Sequence, residues 1–164
     1  MPNVVSNTTP ILSFIKLGRL DILKNVYGEI TIPEGVYLEL EEGKTKGKCF
    51  YVDLSKEPWI KIVNISQDKT LKRLITYLDR GEAEAIALSL KLRAELLLID
   101  ERFGRKVAEE MGIKYSGTIG VLFKAKNQGL INEIKPFLYS LIECGNYYNK
   151  SFIKTVLKIA GETE

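Results

Sequence analysis

The sequence predicts an α/β fold, a three-layer sandwich in which helices flank a mainly parallel sheet of four to five strands. Two observations lead to this prediction. Short β-branched or alternating segments recur along the 164-residue chain, and segments with apolar residues at helical spacing separate them. In addition, residues 95–99 form an almost wholly apolar segment, which is typical of a strand in the middle of a parallel sheet.

The first half of the chain contains three predicted strands, at residues 3–6, 29–32 and 59–65. Thr9 as N-cap and Pro10 as the first helical residue begin a helix, and a second helical segment follows Gly18. A third helix begins at Pro33. We expect it to give way to a loop over residues 42–48, which are rich in glycine and lysine.

The second half alternates in the same way. Helices are predicted at residues 71–78 and 82–92, a strand at 95–99, a helix at 101–111, a strand at 113–115 and a helix at 118–128. Two further helical segments follow, near residues 131–144 and 150–159. Because no repeat, low-complexity tract or linker interrupts this pattern, we expect one domain over residues 1–164.

The chain has no histidine, which removes the side chain that most often moves protons near neutral pH and the commonest ligand for zinc or copper. Cys49 and Cys144 form no C-x-x-C pair, so neither a disulfide framework nor a cysteine zinc site is indicated. Any chemistry must depend on carboxylates, hydroxyls and lysines. Acidic groups favour hard cations such as Mg²⁺ or Mn²⁺.

The expected location is cytoplasmic, without contact to a membrane. The longest apolar run, at residues 94–99, is far shorter than the roughly 20 residues that span a bilayer. The first five residues have neither a basic segment nor an apolar segment of the kind found in a secretory signal.

A basic cluster, Arg102, Arg105 and Lys106, follows Asp100 directly, whereas the net charge of +3 is only weakly basic. Such clusters usually form the solvated face of a helix. Beside an acidic metal site, however, they would suit a phosphate backbone, so these three residues are candidates for nucleic-acid binding.

Polar residues are predicted at one edge of the sheet, because ligands of parallel sheets bind outside the carboxyl ends of the strands. Asn7, Asp100 and residues 116–118 lie there in the predicted topology. Asp100 could equally be the N-cap of the next helix. Several carboxylates at one edge would repel one another unless a divalent cation were present. Such cations activate a water for the hydrolysis of a phosphodiester.

Five segments, residues 4–12, 32–40, 81–88, 98–105 and 117–122, occur in the order seen in PIN-domain proteins. They are most similar to prokaryotic, VapC-like PIN proteins whose first motif begins Ser-Asn-Thr, and the resemblance covers roughly residues 3–145. It implies a PIN-like fold, nuclease activity that depends on Mg²⁺ or Mn²⁺, and for many members a role as the toxin of a toxin–antitoxin pair.

The resemblance also implies the site residues. It places the acidic ligands on Asn7, Glu39, Glu82 and Asp100, with Glu84 as the alternative to Glu82 and Thr118 as a hydroxyl near the metal. Arg102 and Arg105 would lie beside the groove. The departure is Asn7, because an amide supplies no negative charge and cannot act as a base. Fewer ligand charges weaken the binding of a hard cation, so one metal ion is easier to justify than two.

Three interpretations stay open. The first is a metal-dependent ribonuclease that hydrolyses RNA, and the second is a PIN-like module that binds RNA or a protein without cleavage, as Asn7 suggests. The third, a small-molecule phosphotransfer enzyme, lacks an acidic nucleophile after the first strand and both glycine-rich phosphate motifs.

The resemblance also implies partners, namely an antitoxin whose tail covers the acidic groove and a second copy of the chain. An apolar dimer face could come from Tyr139, Leu141, Ile142 and residues 152–159, in the helical region from about residue 131. The alternative is that these residues belong to ordinary core helices.

Overall fold

A computed structural model describes residues 3–45 and 52–163 of the chain. Within these two ranges, five strands form one sheet in the order β3-β2-β1-β4-β5, and every neighbouring pair is parallel. The strands are β1 (Val4–Ser6), β2 (Ile30–Pro33), β3 (Ile60–Val63), β4 (Leu96–Leu98) and β5 (Tyr115–Ser116). The predicted parallel sheet of the α/β class is therefore confirmed.

Helices connect the strands and cover the sheet. They are α1 (Thr8–Lys16), α2 (Leu20–Tyr27), α3 (Glu34–Thr45), α4 (Lys69–Leu74), α5 (Arg80–Leu92), α6 (Arg102–Glu110), α7 (Thr118–Asn127), α8 (Lys135–Glu143) and α9 (Lys150–Ile159), with a short 3-10 helix at Leu54–Lys56. In the parts of the chain that the structure describes, no helix combines the length and the apolar character needed to cross a bilayer.

Most predicted boundaries differ from those in the structure by one to four residues, and three of them are discussed here. Helix α5 begins at Arg80 rather than at residue 82, because the Asp79 side chain accepts the Glu82 N–H at 2.9 Å and caps the helix. Helix α3 continues to Thr45, because one internal glycine weakens a helix by only about 1 kcal/mol. Strand β3 ends at Val63. Residues 46–48 of the predicted loop, and Cys49, lie outside the described residues.

The sheet separates two apolar cores, because successive side chains of a strand point to opposite faces. Leu98 belongs to the core that includes residues of α1, α2, α7, α8 and α9, whereas Leu97 and Ile99 belong to the core that includes residues of α4, α5 and α6. All three residues are fully buried. A strand that is buried on both faces explains the continuous apolar run predicted for the centre of the sheet.

The parallel arrangement brings the carboxyl ends of all five strands to one edge. Asn7 directly follows β1, α3 starts directly after β2, and Asp100 lies two residues beyond β4. Gly117 follows β5 and precedes α7. The start of α5 reaches the same edge by packing against α3, where the Gly35 N–H donates to the Glu84 carboxylate.

Candidate metal site at the carboxyl edge of the sheet

Asn7 lies at the N-terminus of α1, with only 2% of its surface exposed. Its backbone N–H donates to the Leu98 carbonyl at 2.9 Å, which extends the pairing of β1 with β4 by one residue. The side chain does not cap α1. Instead, Nδ2 donates to Glu101 Oε2 at 3.0 Å, whereas Oδ1 is buried and has no hydrogen-bond partner among the described residues. Asn7 therefore presents an unused amide oxygen.

Asp100 is held by the start of α7. The Thr118 N–H donates to Oδ1 at 2.8 Å and the Thr118 hydroxyl donates to Oδ2 at 2.6 Å. The residue at the N-cap of α6 is Glu101, so the alternative in which Asp100 caps the next helix was wrong. Burial raises the pKa of Asp100, against the opposing effects of the Thr118 hydrogen bonds and the nearby Arg105.

Glu39 faces the same edge from α3. Its Oε2 accepts a hydrogen bond of 2.5 Å from the Thr8 hydroxyl. The carboxylate lies against Gly81 at the start of α5, where a Cβ atom would collide with it. Partial burial raises the pKa of Glu39, and the negative charges of Asp79 and Glu101 raise it further.

Glu82 lies among other carboxylates at the start of α5. Burial, followed by the charges of Asp79 and Glu101, raises its pKa to about 7. A hydrogen bond shared with Asp79 and the charge of Glu39 act in the same direction. Raised pKa values with these causes mean that the carboxylates repel one another when all are ionised.

Glu84, the alternative to Glu82, has a different environment. Only 2% of its surface is exposed, and its Oε2 accepts a hydrogen bond of 2.6 Å from Arg80 Nε. Its Oε1 accepts the Gly35 N–H at 3.3 Å. The two glutamates of the same helical turn thus differ: Glu82 lies among carboxylates, whereas Glu84 is paired with a cation and joins α5 to α3.

Sequence reasoning did not identify Glu101, although it lies within electrostatic range of Glu39, Glu82 and Asp100. Its carboxylate accepts hydrogen bonds from Asn7 and, at 2.5 Å, from the Thr9 hydroxyl. Its position directly after Asp100, at a predicted helix start, is the feature of the sequence that could have identified it. Asp79, which caps α5, was also missed.

The donor chemistry of this edge fits a hard cation, because carboxylates and amide oxygens are the protein ligands that Mg²⁺ and Mn²⁺ prefer. The buried Asn7 Oδ1, which no described residue satisfies, is the specific observation. In residues 3–45 and 52–163, however, no three acidic or cysteine side chains are grouped closely enough to enclose an ion. Glu39, Asp100 and Glu101 are instead engaged by hydroxyl and amide donors.

The predicted basic residues lie on α6, beside this edge. Arg102 and Lys106 are exposed. Arg105 is partly buried: its Nε donates to the Ile99 carbonyl at 2.8 Å, and its Nη2 lies 3.9 Å from Asp100 Oδ1. Of these three basic residues, Arg105 is the one that contacts a predicted site residue.

A cleft of about 600 Å³ adjoins Asp100 on the side of α7. Its lining combines polar groups with aromatic side chains from β5, the α8–α9 connection and α9: Thr9, Asp100, Arg105, Tyr115, Ser116, Gly117, Ile119, Gly120, Asn146, Tyr147, Tyr148 and Phe152. We call it the aromatic cleft. Sequence reasoning did not identify it.

The residues predicted for a dimer face are divided between core and surface. Leu141, Val156 and Leu157 are buried in the core of α1, α2 and α7. Tyr139, Phe152 and Ile159 are exposed, and Ile142 is partly buried.

Comparison with known proteins places the chain in a family. No curated protein matches it. The family model for the PIN domain, by contrast, matches residues 3–162, almost the whole chain. Together with the parallel five-stranded sheet, this match shows that the chain belongs to the PIN-domain family.

Proposed function

We propose that the protein is a ribonuclease that depends on Mg²⁺ or Mn²⁺ and hydrolyses RNA phosphodiester bonds. The observation that carries the proposal is the buried Oδ1 of Asn7, which no described residue satisfies, at an edge where Glu82 lies within electrostatic range of Asp79, Glu101 and Glu39, and Asp100 within range of Glu101. Membership of the PIN-domain family supports it, because the fold is of nuclease type and PIN domains generally use divalent metals.

Asp100, Glu82, Glu39 and Asn7 would hold the cation. When bound, it supplies an activated water and positive charge for the phosphodiester under attack. Thr118 fixes the orientation of the Asp100 carboxylate through two hydrogen bonds, and Thr8 does the same for Glu39 through one. Because these contacts already restrict the two carboxylates, less side-chain entropy is lost when an ion binds.

The basic residues of α6 would attract the RNA substrate. Arg102 and Lys106 are exposed and carry charges that can neutralise phosphates. Arg105 is anchored to the Ile99 carbonyl and so keeps its guanidinium beside Asp100. The acidic site alone would repel RNA, and these three cations offset that repulsion.

A binding module without nuclease activity is the second candidate. It is favoured by the neutral Asn7 and by the lack of three grouped acidic side chains among the described residues. Such a module would use the same basic residues to bind RNA but would not depend on a divalent cation for any chemical step.

Cleavage of a labelled single-stranded RNA with Mn²⁺, with an EDTA control, separates the two candidates. We expect cleavage by the wild type, at least a hundredfold less by Asp100→Asn, and no change for the matched variant Asp21→Asn, whose carboxylate pairs with Arg19 on the surface of α2. Equal cleavage by Asp100→Asn would refute the site. If the wild type is inactive and Asn7→Asp is active, the amide limits the chemistry.

We further propose that the protein is the toxin of a toxin–antitoxin pair and forms a homodimer in the cytoplasm. The exposed Tyr139, Phe152 and Ile159 offer an apolar surface on α8 and α9 for a second copy. Light scattering of the purified protein tests the dimer, and a monomer at micromolar concentration would exclude it. A short antitoxin-like reading frame beside the gene would support the toxin role.

A further inference from the structure

The aromatic cleft shares a wall with the candidate metal site. Asp100 and Arg105 line it, together with Gly117 and Gly120 at the start of α7. A Cβ atom on Gly117 would lie 2.5 Å from Asp100 Oδ1, so the absence of a side chain there allows the cleft to reach the carboxylate. A group that fills the cleft would therefore lie next to whatever Asp100 binds.

Four aromatic rings surround the cleft: Tyr115, Tyr147, Tyr148 and Phe152. The rings of Tyr148 and Phe152 are stacked, with centroids 5.5 Å apart and planes inclined by 19°. Tyr147 is 86% exposed, although large aromatic side chains usually bury most of their surface. Flat apolar faces open to solvent are suited to stacking with another flat group.

Arg105 supplies the positive charge in the lining of the cleft, beside the Asp100 carboxylate. The Arg105 guanidinium lies 5.6 Å from the centre of the Tyr115 ring and remains about one-third exposed. The negative charge of Asp100 reaches Tyr148, which is half-buried and also lines the cleft. Planar stacking surfaces, an arginine and the adjoining candidate metal site together match a nucleotide better than an aliphatic side chain.

We propose that the aromatic cleft binds one unpaired nucleobase of the RNA whose neighbouring phosphate is held at Asp100. This inference rests on the proposed function, because it takes the Asp100 edge as the place of the scissile phosphate. A base can enter the cleft only after it leaves the helical stack. The protein is therefore selective for single-stranded or looped RNA, with little preference for base identity, since every base offers a stacking face.

The test uses a short single-stranded RNA that contains 2-aminopurine, whose fluorescence falls when it stacks. Ca²⁺ is the divalent cation present, so that a hard ion can hold the phosphate, and the fluorescence is read before any cleavage. We expect quenching with the wild type and about tenfold weaker binding, with loss of quenching, for Tyr147→Ala. Tyr147→Phe retains an aromatic face and should behave as the wild type. The matched control Tyr77→Ala removes a tyrosine that is 52% exposed and lies outside the cleft, and it should leave quenching unchanged.

Salt titration distinguishes stacking from charge. Tyr147→Ala should keep the slope of log K against log salt, because no phosphate contact is lost, whereas Arg102→Ala should reduce its magnitude by about 1. Double-stranded RNA of the same sequence should bind without quenching. An unchanged affinity and unchanged quenching for Tyr147→Ala would overturn the cleft proposal.

The two proposals fail separately. If Tyr147→Ala impairs neither metal-dependent cleavage nor quenching, the ribonuclease proposal is supported and the cleft proposal is refuted. If quenching depends on Tyr147 but no metal supports cleavage, the cleft proposal is supported and the ribonuclease proposal is refuted. If only a protein partner competes for Tyr147 and no RNA quenches, the cleft is a protein-docking site and the proposal is wrong.

Discussion

The side-chain amide of Asn7 donates a hydrogen bond of 3.0 Å to Glu101 Oε2, across 94 positions of sequence. This donor fixes the amide orientation, because the reverse orientation would set its oxygen against a carboxylate. The oxygen consequently points away from Glu101 and has no partner among the described residues. The neutral residue at the end of β1 thus stabilises one carboxylate of the site while it leaves a metal-type donor unused.

Asn7→Asp should destabilise the metal-free protein but tighten the binding of Mn²⁺. In EDTA at pH 8, loss of the donor and a new charge beside Glu101 should lower the free energy of unfolding by about 1–3 kcal/mol. With Mn²⁺, the added ligand charge should tighten binding by about tenfold. Thermal unfolding in EDTA and in Mn²⁺, with calorimetric titration of the metal, measures both effects.

Asn7→Ala is the control for that comparison, since it removes donor and oxygen together. It should lower stability in EDTA and also weaken Mn²⁺ binding. If Asn7→Asp and the wild type bind Mn²⁺ equally, Asn7 does not face the cation.

Thr118→Val should weaken the site without disrupting α7. The substitution preserves shape but removes the hydroxyl that donates to Asp100 Oδ2 at 2.6 Å, and the backbone N–H at 2.8 Å remains. We expect a loss of about 1–2 kcal/mol in unfolding free energy and about tenfold slower cleavage. Thr118→Ser retains the hydroxyl and should restore both quantities. Equal loss in the serine variant would indicate that the methyl group, not the hydrogen bond, matters.

The metal-free protein should lose stability as the pH rises from about 4.5 to above 7. Glu82 has a folded-state pKa of about 7, raised by burial and by Asp79, Glu101 and Glu39, so the folded state binds the proton more tightly than the unfolded chain does. Its contribution is fully present below pH 4.5 and is lost as the pH passes 7. Partial exposure limits the change to about 1 kcal/mol.

Urea unfolding in EDTA at several pH values measures this effect. Glu82→Gln should flatten the dependence above pH 5, and Mn²⁺ should flatten it in the wild type, because the cation neutralises the repulsion. A stability that rises between pH 5 and pH 8 in EDTA would contradict the assignment of Glu82 to the acidic edge.

The sheet could be predicted from the sequence because its signal is local. Residues 96–99 are apolar on both faces, and a strand of that kind belongs inside a parallel sheet, as β4 does between β1 and β5. Parallel strands then bring Asn7 and Asp100 to one edge whatever the details of the helices. The approximate position of the site follows from topology alone.

The role of each side chain could not be predicted in the same way, because it depends on distant partners. Glu101 reads in sequence as the exposed start of a helix, and only its hydrogen bonds to Asn7 and Thr9 place it in the site. The aromatic cleft needs the α8–α9 connection to fold back over α7, which no periodicity reveals. The early start of α5 was missed because Gly81 suggests a break, whereas the Asp79 cap overrides it.

The two glutamates of α5 should respond oppositely to the same substitution. Glu84→Gln removes the charge that pairs with Arg80 at 2.6 Å in a nearly buried position, so we expect a loss of about 1–3 kcal/mol in unfolding free energy and unchanged Mn²⁺ affinity. Glu82→Gln removes a charge that its neighbours repel. It should leave stability in EDTA at pH 8 equal or higher and weaken Mn²⁺ binding about tenfold.

The pair is a matched test, because both changes are isosteric and lie within one helical turn. Urea unfolding and calorimetric Mn²⁺ titration give the unfolding free energy and the Mn²⁺ affinity of each variant. The variant that loses stability and the variant that loses affinity together decide which glutamate is the metal ligand. Because the Glu84 carboxylate is already occupied by Arg80 and the Gly35 N–H, it has no free charge to offer a cation. Weaker Mn²⁺ binding by Glu84→Gln, with Glu82→Gln unaffected, would exchange their roles and require α5 to turn in the metal-bound protein.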